Sequence, residues 1–265
     1  MIEMDITLFI PILLGWVSGL FVNYASDVLP HTRRFSQPAC HHCQTPFSRA
    51  DYLILRSCRT CGKMRSLRTW LVQVFAVASF TYFWLFPSRL LEVPFVMIVL
   101  TYFGIITVID LEHRLILHPT SLFGAILGVI VGTYIYSKSD GLLIGAGKSL
   151  LGGLFGFGVM FVIYKFGELV ARYRARRMQA AGQADDEEEA FGGGDVYLAG
   201  VLGLMLGWPL ILFGLTYGVL VGGGISILTL VGVVFAKRYA DNALMTFIPY
   251  GPSLIIGSLY ALFFL

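Results

Sequence analysis

A chain of 265 residues that is 57% hydrophobic and only 13% charged, with a mean hydropathy of +0.77, is not a water-soluble globule, which carries about 25% charge. Nor is it disordered, since disorder requires low hydrophobicity. The formal net charge of +3 is small, and its placement reports membrane orientation rather than a nucleic-acid partner.

A helix needs about 20 mostly apolar residues to cross a hydrocarbon layer of roughly 30 Å. That ruler predicts an all-α polytopic membrane protein with about eight transmembrane helices, at 6–27, 69–87, 94–110, 117–136, 142–166, 196–212, 216–236 and 244–265. Most are interrupted only by Gly, Ser, Thr or Pro, which such helices tolerate. The first follows Glu3 and Asp5 rather than a basic stretch, and no small-residue cleavage site comes after it. It therefore reads as a span and not as a cleaved signal peptide.

Lysine and arginine placement sets the orientation. Arg33, Arg34, Arg49, Arg56, Arg59, Lys63, Arg65 and Arg68 follow the first span, Arg172, Arg174, Arg176 and Arg177 the fifth, and Lys237 and Arg238 the seventh. Opposite loops offer little more than Arg89 and Lys138. This places the N-terminus outside and the basic loops in the cytoplasm. Three regions follow: a first transmembrane helix at 1–29, a cytoplasmic four-cysteine insert at 30–68, and a seven-helix membrane core at 69–265 with a cytoplasmic loop at 167–194. The acidic run Asp185 to Glu189 in that loop reads as solvated.

Within the insert, Cys40 and Cys43 form one C-x-x-C pair and Cys58 and Cys61 another, fourteen residues apart. Each pair can clamp one side of a tetrahedral ion, and four thiolates at this spacing point to a structural zinc site. A redox pair and an iron-sulfur centre are the alternatives, while reducing conditions disfavour disulfides. His41 and His42 lie inside the first pair and read as exposed. A closed four-sulfur site leaves no position for a reactive water, so the zinc holds shape.

Ionisable groups at the membrane edge are costly, which makes them functional candidates. They are Asp27, Asp110, Glu112, Glu168, Asp195 and Asp241. Asp110 closes the third span and Asp195, after Gly192-Gly193-Gly194, opens the sixth, so parity puts both at the cytoplasmic face. Two acids at one depth on separate helices can form an aspartyl dyad, in which one carboxylate takes a proton from water while its protonated partner polarises a carbonyl. The helix dipole favours negative charge on Asp195, at a helix start, over Asp110, at a helix end. Elsewhere, Gly152/Gly156, Gly203/Gly207 and Gly214/Gly218/Gly222 repeat at the small-x-x-x-small spacing that lets helices approach closely.

Taken together these residues resemble the type IV prepilin peptidase family, the Gly-x-Gly-Asp class of membrane aspartyl proteases. Gly19 to Asn23 with Pro30 resembles its first-span motif, the two C-x-x-C pairs its zinc insert, and Ile109 to Glu112 with His118-Pro119 its first catalytic motif. Gly192 to Asp195 resembles the second, and Ile248 to Pro252 a Pro-Phe-Gly-Pro near the last span. The resemblance implies a bacterial inner-membrane enzyme, active at the cytoplasmic face. Its substrates would be the hydrophobic helix and leader of prepilins and type II secretion pseudopilins, and its surroundings membrane lipid. It implies Asp110 and Asp195 as catalytic residues and Cys40, Cys43, Cys58 and Cys61 as zinc ligands. It also implies Gly192, Gly194, Pro249, Gly251 and Pro252 as substrate-binding residues. Family members commonly also methylate the new N-terminus with S-adenosylmethionine. Four departures weaken the carry-over to methylation and leader recognition: Tyr197 for Lys, Gln73 for Glu, Leu20 for Ser, and Asp27-Val28 where an Arg precedes Leu-Pro. A transporter using its acids as an ion path, and a zinc-ribbon membrane scaffold indifferent to both aspartates, are the competing readings.

Overall fold

The computed structural model describes residues 6–40, 42–180, 192–235 and 250–265. Among these residues the regular structure is helical, with a single β-bridge between Ala39 and Pro46. The helices are α1 (Phe9–Thr32), α2 (Arg49–Leu53), α3 (Leu67–Leu85), α4 (Val93–His113), α5 (His118–Asp140), α6 (Leu142–Ala180), α7 (Gly193–Leu206), α8 (Leu210–Phe235) and α9 (Gly251–Phe264).

The all-α membrane architecture stands. Among the described residues five helices are long and apolar enough to cross a membrane: α1, α4, α5, the Leu142–Tyr173 part of α6 and the Leu210–Gly232 part of α8. The other three expected spans correspond to α3, which carries Arg68 and Gln73 among its 19 residues, and to the apolar helices α7 and α9, of 14 residues each.

Several expected boundaries move. The sixth span ends at Leu206 and the seventh begins at Leu210, because Gly207 takes a positive φ of 67° with an extended ψ of 179°, open essentially to glycine, and Pro209 has no N–H to continue a helix. The fifth expected span, α6, does not stop at 166 but runs on to Ala180. Side-chain pairs one turn apart carry it past its apolar part: Lys165 lies 2.8 Å from Glu168, which also pairs with Arg172. The acidic run at 185–189 lies outside the described residues.

The chain divides into two compact units, 1–117 and 118–265. In the first, α1 packs on α3 and α4. Val22, Ala25 and Leu29 of α1 meet Ile105, Val108 and Ile109 of α4 and Leu117 beyond it. Gly15 and Gly19 allow the approach of α3. A Cβ on Gly15 would lie 2.7 Å from the Val77 backbone, and one on Gly19 would lie 2.8 Å from the Gln73 amide. Gln73 is buried there and donates from Nε2 to the Trp16 carbonyl at 2.6 Å. Asn23 Nδ2 donates to the Thr69 carbonyl at 3.2 Å, a second polar tie between α1 and α3.

In the second unit α6 packs on α5 and α7, and α8 on α9. The small-residue spacing read from the sequence is used as expected: a Cβ on Gly152, Gly156 or Gly203 would be driven into the backbone of the facing helix. Close backbones also let side-chain hydroxyls reach free carbonyls at the end of α7. Ser149 Oγ donates to the Leu204 carbonyl at 2.7 Å and the Tyr136 hydroxyl to that of Leu206 at 3.0 Å.

Candidate functional site

The four cysteines come together. Their sulfurs all lie within 4.8 Å of one another, with Cys40 Sγ 3.7 Å from Cys61 Sγ and Cys43 Sγ 3.6 Å from Cys58 Sγ. Zn–S bonds of about 2.3 Å in a tetrahedron set sulfurs roughly 3.8 Å apart, so the donor set fits one metal ion and is far too open for disulfides. The two halves are built alike. Cys40 N–H donates to the Thr45 carbonyl and Gln44 N–H to that of Cys40, while Cys58 N–H donates to Lys63 and Gly62 N–H to Cys58, all at 2.9–3.0 Å.

Both halves turn through a left-handed residue at the same place, Gln44 at φ 56° and Gly62 at φ 69°. Only glycine holds that conformation without cost, and a side chain there costs about 1–2 kcal/mol. Gln44→Gly should therefore raise the stability of the metal-loaded protein by about 1 kcal/mol, read as a higher melting temperature; no gain would mean that the Gln44 side chain offsets the strain.

Electrostatics favour the thiolate at two of the four sulfurs, whereas at Cys61 the Lys63 backbone N–H is outweighed by burial and the neighbouring sulfurs, which push the thiol up to about 11. The Cys58 thiol is pushed down to about 6, first by the backbone N–H of Cys61 and then by that of Thr60, and the Thr45 hydroxyl lowers Cys43. His42 is exposed, with its Nε2 2.7 Å from Lys63 Nζ, and stands apart from the sulfurs; His41 lies outside the described residues. Five-residue α2 is fixed by a reciprocal cap, Ser48 Oγ accepting from Asp51 N–H at 3.2 Å and donating to Asp51 Oδ2 at 2.9 Å. Asp51 then reaches the second cysteine pair through Arg59, 2.7 Å away, whose guanidinium holds this carboxyl below the usual range. Arg65 packs between the rings of Phe47 and Tyr52, 4.1 and 4.2 Å from their centroids.

The two candidate acids belong to different units. In the first, Asp110 sits in the last turn of α4, is 5% exposed, and its Oδ2 has no hydrogen-bond partner among the described residues. Arg114, left-handed at φ 52°, ends the helix there by donating its N–H to the Asp110 carbonyl. In the second, half-buried Asp195 lies in the first turn of α7. Gly192 before it is exposed, and a Cβ there would meet open space. The Asp195 charge is felt at Tyr250, the residue that opens α9, so the start of α9 comes near that of α7. Gly251 and Pro252 are buried in the first turn of α9, where they set the start of that helix. Pro249 lies outside the described residues. An open apolar groove of about 380 Å³ runs between α5, α6 and α7, lined by His118, Leu122, Phe157, Tyr197, Gly200 and Leu204.

One constellation was not legible in the spacing. Arg68, in the first turn of α3, binds Asp27 of α1 and, through Nη1, Glu112 of α4 at 2.9 Å. Asp27 Oδ2 in turn accepts from the Tyr52 hydroxyl at 2.6 Å. The sequence singled out both acids at the membrane edge but gave Arg68 only a role in orientation.

A model of the type IV leader peptidase family matches residues 95–227, a stretch that includes both Asp110 and Asp195. The chain belongs to the type IV leader peptidase family. Searches of curated proteins and of solved structures returned no match. In this leader peptidase the matched stretch opens within α4 and ends within α8, so the cysteine insert lies outside it. The peptidase is a membrane protein by its five long apolar helices, and its four cysteines form a group able to hold a metal ion.

Proposed function

We propose that this leader peptidase removes the leaders of type IV prepilins and type II secretion pseudopilins at the cytoplasmic face of a bacterial inner membrane, with Asp110 and Asp195 as its catalytic pair. The observation that carries the reading is the family match across both acids. Orientation rests on the basic residues between α1 and α3 and after the apolar part of α6.

In this reading one carboxylate accepts a proton from a water molecule, whose oxygen attacks the scissile carbonyl, while the other donates a proton to the carbonyl oxygen. Collapse of the tetrahedral intermediate breaks the C–N bond, and the amine leaves with a proton returned by a carboxyl group. Burial suits Asp110 to such work, because a dry surrounding strengthens each electrostatic contact with the developing charge. The open space at Gly192, with Gly194 two residues on, suits a substrate backbone that must unwind, and unpaired backbone in a membrane is tolerated only where protein or water satisfies it. The apolar groove along α7 suits the substrate's hydrophobic helix.

The four thiolates would hold zinc as a structural ion, fixing the fold of the insert and supplying no reactive water. Methylation of the new N-terminus from S-adenosylmethionine belongs to the same proposal. Gln73, in place of an acid, is committed to the α1–α3 contact through the Trp16 carbonyl, so any methyl transfer draws on other residues. Co-expression with a leader-bearing prepilin, in cells lacking their own peptidase, tests both activities by the mass of the pilin. The expected result is loss of the leader together with one added methyl group. An unprocessed precursor would refute the peptidase reading, and a leaderless but unmethylated pilin would remove the methylation.

A further inference from the structure

We propose that Arg68 is a positioning residue that ties the four-cysteine insert to the turn of α4 bearing Asp110. The proposal rests on reading Asp110 as catalytic.

The physical chain is continuous within the first unit. Cys40 and Cys58 pack against Phe47 and Tyr52 in one buried cluster. Tyr52 faces α1, meeting Tyr24 edge-on with ring centroids 6.0 Å apart and donating its hydroxyl to Asp27 at 2.6 Å. Asp27 is gripped by Nη2 of Arg68, and Nη1 of the same guanidinium donates to Glu112 at 2.9 Å. Glu112 stands two residues beyond Asp110 in the same helical turn.

Three features separate this network from the surface pairs of the insert. Its Asp27–Arg68 pair is protected, Asp27 being 6% and Arg68 18% exposed against 64% and 70% for Arg56 and Arg59, while Glu112 at its edge is 40% exposed. Exposed pairs contribute little, whereas removing one partner of a protected pair leaves a charge without compensation. A planar guanidinium can serve two carboxylates from two nitrogens, which an ammonium group does poorly. Finally, the Asp110 turn needs holding. It is the last of α4, where carbonyls lose their helical partners, and among the described residues the buried Oδ2 of Asp110 makes no hydrogen bond that could anchor it. Glu112 gives that turn a fixed point, and Arg68 links the point to the insert.

The test uses purified full-length protein with a leader-bearing precursor, metal analysis, and amide hydrogen exchange read over residues 109–115. Arg68→Gln should lower kcat about tenfold or more with KM within about twofold, keep its metal, and speed exchange in the Asp110 turn. Arg68→Lys should recover only part of the loss. Glu112→Gln, which leaves the Tyr52–Asp27–Arg68 contacts in place, should reproduce the exchange change, and Tyr52→Phe should give a smaller one. Wild-type kcat and exchange in Arg68→Gln and Glu112→Gln would overturn the proposal. So would a loss of activity that arises only together with loss of metal, which would assign Arg68 to the fold of the insert. If Arg68→Gln does not fold, Glu112→Gln decides by the same readouts. Failure of the catalytic reading is visible separately, because Asp110→Asn would then cleave normally whatever the Arg68 and Glu112 variants do.

Discussion

Replacing Cys58 by Ser is expected to release the metal ion that the four cysteines are proposed to hold and to unfold the insert. Structural zinc sites contribute about 10–16 kcal/mol of apparent binding free energy at neutral pH, so one thiolate of four accounts for roughly 2.5–4 kcal/mol, or about two to three powers of ten in affinity. Apart from the Tyr52 contacts with α1 and the packing of Arg65, the insert has little else to hold it. Its buried cluster consists of Cys40, Phe47, Tyr52 and Cys58, too small a core to fold without a staple. Metal analysis should find one ion per wild-type chain and a substoichiometric amount in the variant, together with a lower melting temperature. A wild-type chain that is folded but metal-free would contradict the assignment. Acid should act in the same direction. The Cys58 thiol has its folded-state value depressed from 9.0 to about 6, so the stability it contributes is full above the unfolded value and is lost as pH falls through the folded one. Bound metal competes further with the proton, so release is expected only below about pH 6.

Asn at position 110 or 195 is expected to reduce leader removal by about a thousandfold or more, within the range that general acid–base groups contribute and beyond what either would lose as a mere helix-end residue. The amide keeps the shape of the carboxylate but can neither accept the proton of water nor return one to the leaving amine. Folding should survive both changes. Oδ2 of Asp110 makes no hydrogen bond among the described residues, and at either position Asn keeps the size of the side chain and one accepting oxygen. Melting temperatures near the wild-type value would show that lost activity is lost chemistry.

The features legible in the sequence were those written in short spacings. Two C-x-x-C pairs announce four convergent sulfurs because each pair needs only one tight turn, and the structure repeats that turn through Gln44 and Gly62. Glycines four apart announce close helices because no side chain can occupy the gap, as Gly152, Gly156 and Gly203 show. Hydropathy found the apolar helices but misplaced their ends. It stopped α6 where apolar residues thin out, although Lys165, Glu168 and Arg172 sustain the helix by pairing along its surface. It also ran through Gly207 and Pro209, where backbone geometry decides the break. The Arg68 network escaped for a different reason. Its members are 41 and 44 residues from Arg68, and no local pattern reports which of several basic residues turns inward.

The central claim is that Asp110 and Asp195 act as one catalytic unit on a leader-bearing substrate. It is tested most directly by kcat/KM for the wild type, Asp110→Asn, Asp195→Asn and the double variant, each purified and assayed by the mass of the products from one prepilin. The two singles should each lose nearly all activity and the double variant should be no worse than either, because residues that work as a unit are not additive. Cleavage at the wild-type rate by either single variant would contradict the dyad.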